Sequence, residues 1–404
     1  MTVPVHREKA HVLALDSIRG VAAVTVVIHH VIRMPILLSA FPQNAWIDWA
    51  FFREGGFLVD LFFVLSGIVM SLSYVQPDFG HFSLREFMVR RLARVYPLHI
   101  VMLFVNLLFR LVRIEFVALG LITAVPYAFE VNNAYSFFLN VFLLHSLGFV
   151  QYLNWNAPSW SISVEFYTYL IFGLLLLSAQ RLRSPRGFYL CAALLVIGSW
   201  FALYAIIGRK ELGAQFDWGI LRCLISFFLG VLTVKFVSRL SVSPTPTVQG
   251  AIQFAALVAS IAHVSMIEAY PWISYLVPLT FAVFLGSLLA FPDAAFVPRI
   301  LVTKPLVWLG KRSYSIYMVH AFVILLAEYF VRALGPRPVA ALEAICGGLA
   351  ASLTLVAILA AVLILSAFTY AYVEIPGGKL LRRWLQDKTS FSVAPAANPT
   401  RSLS

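Results

Sequence analysis

Arg19 and His30 stand eleven residues apart in one apolar run, LDSIRGVAAVTVVIHHVIRM. At about 100° and about 1.5 Å per residue, both side chains share one helix face and lie roughly 16 Å apart along it. His29 falls roughly 80° away from Arg19 on the same wheel. A charged guanidinium and a titratable imidazole inside an apolar span are costly, and such groups mark functional sites by default. An imidazole is also the side chain best suited to proton transfer near neutral pH.

Two carboxylates accompany them: Asp60 in GGFLVDLFFVLSG and Glu165 in APSWSISVEFYTYL. Helix rise puts both near the depth of His30, somewhat outside the bilayer centre, which points to a shared polar cavity; buried ion pairs that lock spans together are the alternative. A second constellation is FMVRRLARVYP, where Arg91 and Arg94 share a face of a short helix expected to end before Pro97. Paired guanidiniums suit bidentate binding of phosphate, although a basic anchor for anionic lipid headgroups reads equally well. In RSYSIYMVH, Ser313, Tyr317 and His320 fall on one face and are expected to line the cavity. Arg222 reads as a snorkelling surface residue or an acceptor contact. Glu374 and Pro376, with Arg382 and Arg383, read as a helix stop beside lipid-facing basic residues. No residue pattern proposes a metal site, and there is no Gly-rich phosphate loop, His-Glu-x-x-His or Gly-x-Ser-x-Gly.

The elements that position these groups are membrane helices. Of 404 residues, 61% are hydrophobic and only 12% charged, against about 25% charged in soluble domains. Apolar runs of spanning length lie near 17–38, 56–75, 96–114, 158–178, 188–207, 218–237, 249–268, 272–291, 313–333 and 346–371. The fold class is therefore an all-α membrane protein of about ten spans, with shorter re-entrant or interfacial pieces at 115–157. The first run is too long for a signal-peptide h-region and carries Arg19, so it is read as retained. Most of the 30 Lys and Arg residues fall on the side that also holds both termini, which places the termini in the cytoplasm. That distribution assigns the net charge of +12 to topology rather than to nucleic acid. Residues 1–387 read as a single membrane domain, and 388–404 as a disordered cytoplasmic tail. Cys191, Cys223 and Cys346 have neither metal nor disulfide spacing and read as packing residues.

LDSIRGVAAVTVVIHH, GGFLVDLFFVLSG, FMVRRLARVYP, PSWSISVEFYTYL, GKRSYSIYMVH and YVEIPGGKLLRR occur in an order that resembles acyltransferase family 3, over about residues 12–385. Members of that family are multi-pass membrane O-acyltransferases of bacterial surface polysaccharides and related acceptors. The resemblance implies that Arg19 and His30 are essential, and that Arg91 and Arg94 form the family's Arg-x-x-Arg. It maps Trp160, Ser161 and Glu165 onto Trp-Ser-x-x-x-Glu. Members often read SVEEQFY where this chain has SVEFYTY, so one carboxylate of that pair is missing here. The chain looks like the stand-alone form, without the extra C-terminal esterase-like domain of some members. A His-x-x-x-x-Asp match at His11–Asp16 belongs to a differently folded glycerolipid acyltransferase domain and is discounted.

What the resemblance implies is a bacterial cytoplasmic (inner) membrane enzyme. The donor is acyl-CoA, acetyl-CoA above all, and the acceptor a hydroxyl of an exopolysaccharide or other exported glycan. Arg91 and Arg94 would hold the donor phosphates, Arg19 the cavity mouth, and His30 would be the general base, its tautomer held by Asp60 or Glu165. The rival class is a proton-coupled transporter that uses the same intramembrane groups as a relay.

Overall fold

The computed structural model describes residues 5–34, 49–75, 82–120, 130–242, 244–292, 294, 296–334, 340–341 and 344–387. The expected tail at 388–404 lies outside them, as does 121–129 of the middle segment. All regular structure among the described residues is helical.

Helix α1 (Val5–Ile32) carries Arg19 and His30. A short α2 (Ala50–Arg53) and a tight turn at Gly55–Phe57 lead into α3 (Leu58–Tyr74). Next comes α4 (Leu84–Ala118), started by Ser83, whose hydroxyl accepts from the Glu86 N–H at 3.3 Å. The eight-residue α5 (Ala134–Val141) opens on a reciprocal cap between Asn133 and Ser136. After a turn at Ala157–Ser159 follow α6 (Trp160–Leu182), α7 (Pro185–Phe201), α8 (Gly219–Val237), α9 (Pro246–Met266) and α10 (Val277–Ala290). The chain continues through α11 (Val297–Leu301), α12 (Lys304–Leu334) and α13 (Ala350–Thr369). A wide turn at Tyr370–Glu374 leads into α14 (Ile375–Asp387).

Nine stretches among the described residues are long and apolar enough to cross a membrane, and they coincide with nine of the ten expected spans. The tenth, 96–114, lies in the 35-residue α4, whose ends are charged. Its uncharged stretch runs only from Val95 to Phe109, about 22 Å at helical rise, short of a hydrocarbon core of about 30 Å. The helix also runs straight through Pro97, where the sequence suggests a stop. Proline inside a membrane helix is tolerated because neighbouring elements absorb the freed backbone group.

Two close approaches fix the site's geometry. A Cβ on Gly20 would lie 2.5 Å from the Gly310 backbone nitrogen, and one on Gly310 would lie 2.4 Å from the Asp16 carbonyl oxygen. Only glycine lets α1 and α12 come this near, and α1 packs along α12 more extensively than against any other helix. The two helices run parallel: Gly20 meets Gly310, and ten residues later in each chain segment His30 meets His320. Likewise a Cβ on Gly67 of α3 would fall 1.9 Å from the Phe227 carbonyl oxygen of α8. The larger apolar core lies where α1, α3, α8, α10 and α12 converge.

Candidate functional site

Five helices enclose a cavity of about 160 Å³. Arg19 enters it from α1, Ser66 from α3, Arg91 and Arg94 from α4, Ser161, Glu165 and Tyr169 from α6, and Ser313, Tyr314 and Tyr317 from α12. Val59, Phe62, Phe63, Val69, Met70, Val95 and Ile162 complete its walls. Apolar walls with a few convergent charges and hydroxyls are the ordinary make-up of a small-molecule site.

The three guanidiniums are not equivalent. Arg19 pairs with Asp16 at 3.3 Å on its own helix. Arg94 is ion-paired with Glu374, whose second oxygen accepts from the Ser315 hydroxyl at 2.6 Å. Arg91 has no carboxylate partner among the described residues. Its guanidinium lies over the rings of Tyr169 (5.8 Å), Tyr74 (5.9 Å) and Phe87 (5.9 Å). Ring faces hold a cation in place without neutralising it, so Arg91 is the cation most open to an incoming anion. Glu165 accepts hydrogen bonds from Ser66 and, at 2.6 Å, from the Tyr169 hydroxyl.

At the end of the cavity away from the arginines, the Ser161 and Tyr317 hydroxyls share a hydrogen bond at 3.0 Å, and Ser161 Oγ also lies 3.2 Å from the Pro158 carbonyl oxygen, which accepts. Tyr317 and Ser161 are both buried, and Trp160 packs edge-on against Phe63 rather than lining the space. Beyond Tyr317 lies His320, fully buried, with ring centroids 5.6 Å apart. His320 in turn meets His30 at 4.9 Å. Arg19 lines the cavity and His30 does not: His30 touches His320, which touches the lining residue Tyr317. His30 is exposed on its other side. Its Nδ1 lies 2.8 Å from the Val26 carbonyl oxygen. A carbonyl only accepts, so Nδ1 carries the proton and Nε2 keeps its lone pair. That backbone contact, not Asp60 or Glu165, sets the ring's tautomer.

His29 is not remote from this group. Its ring stands edge-on to His30 at 4.9 Å and packs against the turn at Gly55–Phe57, while its Nδ1 donates to the Phe52 carbonyl of α2 at 3.0 Å. Beside them Arg33 pairs with Glu54 at 3.5 Å, and burial pushes the Glu54 carboxyl above its ordinary range.

Several expected placements differ. Asp60 is fully buried and bound to Arg222 (2.6 Å and 3.1 Å) and to the Ser226 hydroxyl (2.9 Å), with no hydrogen bond to an imidazole. Arg222 is not a snorkelling surface residue: it is 2% exposed, stacked between Trp160 (5.3 Å) and Phe57 (5.4 Å). Glu165 sits at the level of Ser66, six residues along α3 from Asp60, so the two carboxylates are about 9 Å apart along the helix axis instead of sharing a layer. Glu374 is not merely a helix stop but the buried partner of Arg94. Cys223 is buried and accepts from Thr168 at 3.3 Å; Cys191 is exposed.

The described part of the middle segment is a polar brace that the sequence leaves unread. His99 of α4 donates to the Asn140 carbonyl at 2.9 Å and stacks on His145 at 5.7 Å. Asn156 donates to the Met318 carbonyl at 3.0 Å, gripping α12 between Tyr317 and His320. Among the described residues, no group of three or more His, Cys, Asp or Glu side chains is placed to hold a metal ion.

Fold and site together define a multi-pass helical membrane protein built around a basic, hydroxyl-lined cavity. Residues 12–371 match the acyltransferase domain of acyltransferase family 3, and the chain belongs to that family. It is 24% identical over 359 residues to the O-acetyltransferase OatA of Staphylococcus aureus strain NCTC 8325 / PS 47, a match spanning 84% of this chain and 55% of OatA. It is 25% identical over 343 residues to SACOL0978 of strain COL, which is provisionally named an O-acetyltransferase; that match spans 79% of this chain and 52% of the relative. The chain thus spans about half the length of the curated relatives it matches. No solved structure matches.

Proposed function

We propose that this protein is a membrane O-acetyltransferase that takes an acetyl group from acetyl-CoA and places it on a hydroxyl of an exported glycan, with His30 as general base. The observation that carries the reading is continuity: an unneutralised arginine, Arg91, opens a cavity that ends at Tyr317, one buried ring away from an exposed imidazole with a free Nε2 lone pair.

Arg91 takes the donor's phosphate charge first, because Arg94 and Arg19 already hold carboxylates. Arg94 contributes its remaining N–H groups, aimed by Glu374. The apolar walls suit the donor's uncharged arm. The Tyr317 hydroxyl, which shares a hydrogen bond with Ser161, turns to donate to the oxygen of the carbonyl under attack, while Ser161 keeps the Pro158 carbonyl as its own acceptor. His30 Nε2 removes the acceptor hydroxyl proton as the new ester bond forms, and that proton ends on the departing sulfur. Asp60 and Arg222 serve by fixing α3 against α8 beside Trp160.

Family membership favours group transfer over a transported substrate. The reading is tested by NMR of surface glycans from cells with and without the intact gene. It requires O-acetyl ester signals that vanish with the gene and return with the wild-type chain but not with His30→Ala. Unchanged ester signals would overturn it.

A further inference from the structure

His320 touches His30 and Tyr317, yet the reaction above leaves it unused. It is fully buried on α12. Its Nδ1 lies 2.5 Å from the Tyr317 carbonyl oxygen, an atom that only accepts, so the proton of the neutral ring is on Nδ1. The Nε2 lone pair is buried and has no hydrogen-bond partner among the described residues. A buried acceptor left without a donor forfeits its hydration with no return, so a donor that arrives there is held strongly.

The neighbour that can satisfy it is His30. The two ring centroids are 4.9 Å apart with the planes inclined at 58°, close enough that a turn of the rings about their side-chain bonds brings nitrogen to nitrogen within hydrogen-bond range. In the resting state they cannot bond there: with both Nδ1 atoms donating to backbone carbonyls, both Nε2 atoms carry lone pairs. One added proton removes the mismatch. His29 offers no such arrangement. It is equally near His30 but only half-buried, and its ring packs against the turn at Gly55–Phe57.

We propose that His320 is the buried half of a proton-sharing pair with His30. This rests on His30 being the general base. The acceptor O–H bond breaks and its proton goes to His30 Nε2. The resulting N–H donates to His320 Nε2, which holds the imidazolium until the departing thiolate takes the proton and becomes the thiol. His320 keeps its own Nδ1 proton throughout, so it is a positioning residue that raises the basicity of His30. The other titratable or charged groups around the pair are His29 and Arg33 of α1, Glu54 before α3, and Tyr317 of α12.

The test is histidine side-chain ¹⁵N NMR on the full chain in lipid nanodiscs, titrated with pH, for wild type, H320F, H320Q and H29F. H320F should make His30 titrate about one pH unit lower, a tenfold loss of proton affinity. H320Q, whose amide oxygen still accepts, should stay within a few tenths of a unit of wild type. H29F should move His30 less than H320F. An unchanged His30 titration in H320F, or equal shifts in H320F and H320Q, would overturn the proposal. Should H320F fail to fold, H320Q decides the matter: a His30 titration about one pH unit below wild type in a folded H320Q contradicts the proposal. Acetyl transfer in cells carrying the wild-type chain or His30→Ala keeps the two claims apart: full activity in His30→Ala defeats the base assignment, whereas the NMR coupling stands or falls by itself.

Discussion

At the residue scale, a tautomer decides what His30 can do. The Val26 carbonyl holds its Nδ1 proton, so Nε2 is the free base, and the exposed side of the ring is open to a hydroxyl. Replacing His30 by alanine should lower transfer about 10²–10⁴-fold, the usual worth of a positioned base. His29→Ala should cost less, acting only through the turn it packs against; rates of O-acetyl ester formation for the two variants check this. The sequence made part of this legible. The spacing of Arg19 and His30 selects one helix face, and both do lie toward α12. Spacing along one helix says nothing of what a second helix brings, and α12 sets His320 against His30 and Tyr317 against His320. The same limit hid the partners of Asp60 and Arg94. Arg222 lies 162 residues from Asp60 and Glu374 lies 280 from Arg94, separations over which no local pattern carries information.

At the scale of elements, bilayer physics makes the helices readable: an apolar run of fixed minimum length is written plainly in composition, and nine such runs appear as helices. Helix α4 escapes the rule because its charged ends serve the cavity at one end and ring stacking at the other, with Arg113 over Tyr329 at 4.9 Å. The Asp60–Arg222 pair fixes α3 against α8 in a fully buried setting. Breaking it by Asp60→Asn should destabilise the protein by about 3–5 kcal/mol, because Arg222 is left buried without its counter-ion. Asp60→Leu with Arg222→Met should recover most of that loss, as read by thermal unfolding in detergent. Gly310→Leu should be worse tolerated than a typical surface change. Its Cβ would collide with the Asp16 carbonyl, and overpacking costs about 1–3 kcal/mol. Because α1 and α12 would be pushed apart, transfer should fall further than stability; an unfolding curve and a rate measured on one preparation separate the two effects.

At the scale of the whole molecule, the charges are arranged in sequence along one path. Arg91 stands free at one end of the cavity, Arg94 and Arg19 are partly neutralised beside it, and the hydroxyls of Ser161 and Tyr317 close the other end before the two histidines. This order is what an enzyme needs if it captures a charged donor at one end and reacts its uncharged end at the other. The central claim is therefore that the arginine end binds the donor. Isothermal titration of CoA into the purified full chain in nanodiscs tests it most directly. Wild type should bind, and Arg91→Gln should bind about 10–100-fold more weakly, the worth of hydrogen bonds to a charged group. His30→Ala should bind as wild type does. Equal affinity in wild type and Arg91→Gln, or no binding by the wild-type chain, would contradict the account.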